Sequence, residues 1–101
     1  ELPITIILLN DRQHGMVAQF QEENMDGRYI STRDGYSTPN FTEVAKSFGI
    51  NSMKVQSEKD LSNAGSFLRE NLKGPNLIEI IIDDRAKALP KIDRFTKLSQ
   101  L

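Results

Sequence analysis

Two nearly continuous apolar runs, Ile4-Thr5-Ile6-Ile7-Leu8-Leu9 and Leu77-Ile78-Glu79-Ile80-Ile81-Ile82, constrain this chain more than any other feature. Runs with so little polar alternation suit strands covered on both faces, as in a parallel sheet. Between them the pattern turns helical. A short helix is expected from near Gly15, with Met16, Val17 and Phe20 on one side. A second has Thr38 as its cap and Pro39 at its first position, with Phe41, Val44, Ala45 and Phe48 spaced at i, i+3, i+4 and i+7. Gly49 ends it in the left-handed position, with Ile50 packing back on the last turn. Met53 and Val55 alternate around Lys54 as a short strand. Ser57-Glu58-Lys59-Asp60 resembles a capping box, and Leu61, Ala64 and Leu68 form the buried stripe of a third helix. Lys73-Gly74-Pro75 stops that helix. The order β-α-loop-α-β-α-β predicts an α/β fold: a three-layer, doubly wound, mostly parallel sheet with flanking helices and right-handed crossovers.

Composition removes several function classes. The 101 residues suit one compact domain. A balance of 38% hydrophobic and 27% charged residues is that of a globular chain, not a disordered one. Lys and Arg number 13 against 14 Asp and Glu, which argues against a nucleic-acid binder, since counterion release needs a concentrated basic surface. With no Cys, thiolate nucleophiles and Cys-ligated zinc are excluded. The apolar runs are far too short to cross a membrane, and no signal peptide is visible. The expected location is cytoplasmic. The chain opens Glu1-Leu2-Pro3 with no initiator Met, and we expect a piece of a longer protein. Its basic tail beyond Asp84 reads most simply as solvated surface.

Ligands of open α/β sheets bind at the carboxyl ends of strands. That directs attention to Asn10-Asp11-Arg12-Gln13-His14-Gly15-Met16, between the first strand and the first helix. Asp11 offers a carboxylate where a hard cation could be held; Mg²⁺ takes one or two protein carboxylates and fills its other positions with phosphate oxygens and water. A helix beginning near Gly15 favours an anion through its free N–H groups. The plainer reading is that Asn10 and Asp11 form only a turn and cap. His14, the sole histidine, is expected to pack in the loop or face solvent. Met16 and Phe20 are either helix core or ligand contacts. Glu79, odd in an apolar strand, is expected to be solvated or paired near the strand's start. Glu22, Glu23 and Asp26 read as a solvated acidic loop, in the longest polar stretch of the chain.

The stretch Leu8-Leu9-Asn10-Asp11-Arg12-Gln13-His14-Gly15-Met16-Val17 resembles the end of the cofactor motif of thiamine-diphosphate-dependent enzymes, which pairs an upstream Gly-Asp-Gly with a downstream Asn-Asn. Pro39-Asn40-Phe41, Ala45, Phe48-Gly49-Ile50, Gly74-Pro75 and Leu89-Pro90-Lys91 extend the likeness toward the acetolactate synthase branch, from about Leu2 to about Ile92. The resemblance implies that residues 1–92 are the C-terminal half of a thiamine-diphosphate-binding domain, followed by a tail, 93–101. It implies that Asp11 is a side-chain ligand of Mg²⁺ and that Gln13 supplies its backbone carbonyl, its side-chain identity mattering little. Asn10 would brace the loop. Gly15, Met16 and Val17 would lie against the cofactor, and Phe20 would wall the pocket that chooses the acceptor keto acid. Asp11 departs from the commoner Asn and adds a negative charge beside the diphosphate.

The implied reaction is decarboxylation of a 2-keto acid such as pyruvate and carbon–carbon bond formation with a second keto acid. No catalytic residue is assigned to this segment; the Gly-Asp-Gly and the activating Glu of the family are not in it. The expectation is a fragment inactive alone, from a homodimeric or homotetrameric parent. Whether FAD or a regulatory subunit is needed depends on domains outside it. A lid role is open to residues 29–36 and 89–101. The alternatives are a sister 2-keto acid decarboxylase or oxidase, and a non-catalytic doubly wound module resembling a response-regulator receiver. The acidic cluster and central phosphoacceptor that a receiver needs are not found.

Overall fold

The structure, a computed structural model, describes residues 2–89. The elements are β1 (Thr5–Asn10), α1 (Gly15–Asn24), α2 (Phe41–Ser47), β2 (Asn51–Val55), α3 (Glu58–Glu70) and β3 (Asn76–Ile81). Both strand pairs are parallel, in the order β1-β3-β2, with Leu8 and Lys54 flanking Glu79 in register. The chain steps two places across the sheet from β1 to β2 and one place back to β3. Right-handed crossovers then put the connecting helices on opposite faces. The side chains agree. Met53, Val55, Ile78 and Ile80 pack with Ala64, Phe67 and Leu68 of α3. On the opposite strand parity, Ser52 Oγ donates to the Thr42 carbonyl of α2. This is the expected three-layer α/β arrangement around a short parallel sheet.

Local chemistry explains the element ends. Ser57 Oγ accepts from the Asp60 amide at 3.3 Å, and Asp60 Oδ2 accepts from the Gln56 amide at 3.0 Å. The expected capping box therefore forms, with its return bond one residue further out. After α2, Gly49 sits at φ +74; its amide reaches the Lys46 carbonyl and that of Ile50 reaches Ala45. This is a Schellman ending, whose left-handed residue glycine adopts without strain.

Four expectations need correction. First, α2 begins after Asn40, so Pro39 lies before the helix and Thr38 does not cap it. Asn40 Oδ1 instead accepts from the Thr42 hydroxyl at 2.7 Å. Second, the buried side of α2 is Thr42 and Ala45, while Val44 and Phe48 face outward. Third, Leu61 of α3 is exposed and Phe67 takes its place beside the core. Fourth, β1 is not covered on both faces: Ile7 and Leu9 are 60% and 64% exposed. The physical reason is placement: among the described residues α2 and α3 pack over β2 and β3 and leave β1 uncovered. Residues 93–101, expected as a tail, lie outside the described residues, as does most of the 89–101 stretch given a lid role.

Candidate functional site

β1 and the strand it pairs with, β3, end side by side at the carboxyl edge of the sheet, where open α/β sheets place their ligands. The β1 exit is built by two Asx turns in succession. The Arg12 amide donates to Asn10 Oδ1 at 2.8 Å, and the Gln13 amide donates to Asp11 Oδ1 at 3.3 Å. Arg12 is left-handed at φ +59, a geometry costing about 1–2 kcal/mol for a residue with a Cβ, which the first turn holds in place. Asn10 is buried and donates its Nδ2 to Glu79 Oε2 at 2.8 Å.

This arrangement presents Asp11. One carboxylate oxygen is engaged with the Gln13 amide; among the described residues Oδ2 has no hydrogen bond or ion pair. A Cβ at Gly15 would collide with that Oδ2, so glycine opens the space into which the oxygen projects. α1 starts at this point with no side-chain cap on its first amides and no acidic residue in its first turn. A free carboxylate oxygen therefore sits at the start of an uncapped helix, a combination able to take a cation and an anion together. Among the described residues no group of three or more His, Asp or Glu could hold a metal by itself. The donor set fits one side of a metal–phosphate site.

Gln13 does more than the resemblance implied. Its side chain is 8% exposed; Nε2 donates to the Asp84 carbonyl, and Oε1 accepts from Arg33 Nε. Arg33 also reaches the Asp84 carbonyl at 3.1 Å and lies 4.4 Å over the Tyr29 ring. Beyond the backbone role that the resemblance implied, this side chain ties the β3 exit and the long 25–40 loop to the turn that follows β1. The same loop is pinned again where the His14 amide donates to the Thr32 carbonyl at 3.2 Å and Thr32 Oγ1 donates to Gln21 Oε1 at 2.6 Å. His14 packs its ring 4.4 Å from Tyr36, as expected of a loop-packing residue.

The remaining site residues separate. Ala18 is the buried residue of α1; Met16, Val17 and Phe20 are exposed, Met16 by 76%. They form an exposed apolar side of α1, and the reading of Met16 and Phe20 as helix core does not hold. Glu22 of the acidic stretch pairs with Lys87 at 3.1 Å, and the Ala88 amide donates to Gln19 Oε1, so the chain beyond β3 runs along α1. At the start of that segment the Arg85 backbone amide, followed by its charge, holds the Asp83 carboxyl below the ordinary Asp value. Arg33 and Asp84 were missed in the sequence, where neither stands in a periodic stretch; Glu79 was visible as the one acid in an apolar run.

Parallel strands flanked by helices, with a carboxylate at a strand tip and a helix opening beside it, define a domain of the α/β class. The chain belongs to the family described as "Thiamine pyrophosphate enzyme, C-terminal TPP binding domain", which matches residues 1–80. It is 32% identical over 92 residues to "Acetolactate synthase, mitochondrial" of Schizosaccharomyces pombe, covering 89% of this chain and 13% of that protein. It is 30% identical over 94 residues to the "Acetolactate synthase large subunit" of Porphyra purpurea, covering 91% and 15%. Against the large subunit of Cyanidium caldarium the identity is 33% over 92 residues, covering 91% and 16%. The chain thus spans about a seventh of the length of these relatives. No helix among the described residues is long and apolar enough to cross a membrane.

Proposed function

We propose that this chain supplies one side of a magnesium–diphosphate clamp in a thiamine-diphosphate-dependent enzyme that decarboxylates a 2-keto acid and joins the product to a second one, in the manner of acetolactate synthase. The observation that carries this reading is the free Asp11 Oδ2, directed past Gly15 at the uncapped start of α1. Asp11 would hold Mg²⁺ through that oxygen, with the Gln13 carbonyl as a second donor and phosphate oxygens completing the shell. The first amides of α1 would meet the diphosphate, and Asn10 would brace the turn. Met16 and Val17 would cover the cofactor, and Phe20 would wall the acceptor pocket. Bound thiamine diphosphate supplies the carbanion chemistry that these side chains lack. The chain's own residues bind, orient and exclude water. Names of relatives support the acetolactate branch; a cytoplasmic location, a homodimeric or homotetrameric parent, and any FAD or regulatory subunit belong to the same proposal.

The test replaces the matching segment of the Cyanidium caldarium large subunit with this chain. The chimera is expected to form acetolactate from pyruvate, and Asp11→Ala within it to raise the Mg²⁺ needed for half-maximal rate by about tenfold or more. A folded, active chimera indifferent to Asp11→Ala would remove the metal role. Release of an aldehyde or acetyl phosphate instead of acetolactate would move the reading to a sister enzyme. The 101-residue chain alone is expected to show no turnover.

A further inference from the structure

Glu79 lies in the middle strand of the sheet with 2% of its surface exposed, and the core makes no use of its charge. Among the described residues its Oε1 has no hydrogen-bond partner; Lys54 Nζ stands 3.8 Å away, while Oε2 accepts from Asn10 Nδ2 at 2.8 Å. Burying a carboxylate is costly, and an aliphatic residue at this register would pack without that cost. What the carboxylate does uniquely is accept. An asparagine amide has one donating and one accepting end, and only the donating end can face an accepting carboxyl oxygen. With Nδ2 committed to Glu79, Oδ1 of Asn10 must face outward, where it accepts from the Arg12 amide at 2.8 Å.

We infer that Glu79 is a positioning residue for the Asp11 site: through Asn10 it fixes the amide polarity that closes the first turn, sets Arg12 left-handed and presents the Asp11 carboxylate. Lys54, one third exposed on the neighbouring strand, supports the acid from its other side. The effect passes from the sheet interior to the loop through two hydrogen bonds and needs no contact between Glu79 and any ligand. This inference rests on the metal reading above for its purpose, though not for its geometry.

Amide hydrogen exchange on the chimera, resolved to single residues by mass spectrometry, tests it, with Glu79→Leu and Glu79→Gln. In Glu79→Leu the Arg12 amide should exchange about tenfold faster or more, while amides within α3 change less than about twofold. In Glu79→Gln the bond is neutral and its direction no longer enforced, so Arg12 should exchange roughly threefold faster. If Glu79→Leu loosens α3 as well, the Gln variant decides. An Arg12 amide unchanged in Glu79→Gln, or accelerated only in step with α3, overturns the relay. Asp11→Ala in the chimera separates the two readings: an unchanged Mg²⁺ requirement strikes the metal assignment, and leaves the relay to stand or fall on Arg12.

Discussion

The two halves of the sheet are built differently. Around β2, α3 and β3, side chains from three elements close over Val55, Ala64 and Ile78. Around β1 and α1, most large apolar side chains remain exposed, and what holds the chain is polar: Asn10 on Glu79, Gln13 on Arg33 and Asp84, Thr32 on Gln21. Packing is non-directional and tolerates adjustment, whereas hydrogen bonds specify where an atom points. The half that carries the candidate site is the half organised by direction.

Thermal or urea unfolding should separate the halves most clearly. Ile78→Ala removes a buried core side chain and should cost about 2–5 kcal/mol, whereas Ile7→Ala, on the open strand, should cost about 0.5 kcal/mol. Equal losses would mean that β1 is covered in solution. Next in size, Gln13→Ala leaves Arg33 Nε and part of the Asp84 carbonyl without partners, for about 1–2 kcal/mol. Its distinguishing readout is faster exchange at the His14 amide with α3 unchanged. Helix starts give a smaller contrast: Ser57→Ala should cost about 1 kcal/mol, because its hydroxyl caps α3, while His14→Ala removes no cap from α1. Smallest is the contribution of Asp83, whose side chain is exposed. Its folded value is lowered, so any stabilisation is present above the unfolded value and fades as pH falls through the folded one. A carbon-detected carboxyl titration should place Asp83 below an unstructured Asp, and Arg85→Pro, which removes the donating amide, should bring it back up.

The packed half was the more readable. Schellman and capping-box signals at Gly49 and Ser57, and the two apolar runs, are local patterns whose physics operates within a few residues, and they placed β2, α3 and β3 closely. Asp11 was readable for the same reason, as an acid just past a strand. The side-chain role of Gln13 was not, because its partners Arg33 and Asp84 stand 20 and 71 residues away and no periodicity links them. Burial was the other failure. An apolar run reports what a strand prefers, not what lies over it, so β1 reads as covered on both faces though it is open among the described residues. Thr38-Pro39 misled for a related reason: a good capping pair was available, yet helical geometry starts where Thr42 and Ala45 reach the sheet.

One consequence follows from the absent Cβ at position 15. Because Asp11 Oδ2 fills the volume a side chain there would claim, a Cβ at position 15 forces the Asp11 carboxylate out of its present rotamer. In a library randomised at both, glycine should be nearly obligatory at 15 wherever 11 stays acidic with its present rotamer. Larger residues at 15 should emerge once 11 is trimmed to Ala or Gly. The two positions share one volume, and a bulkier residue at 15 is expected to turn the Asp11 carboxylate away from the start of α1.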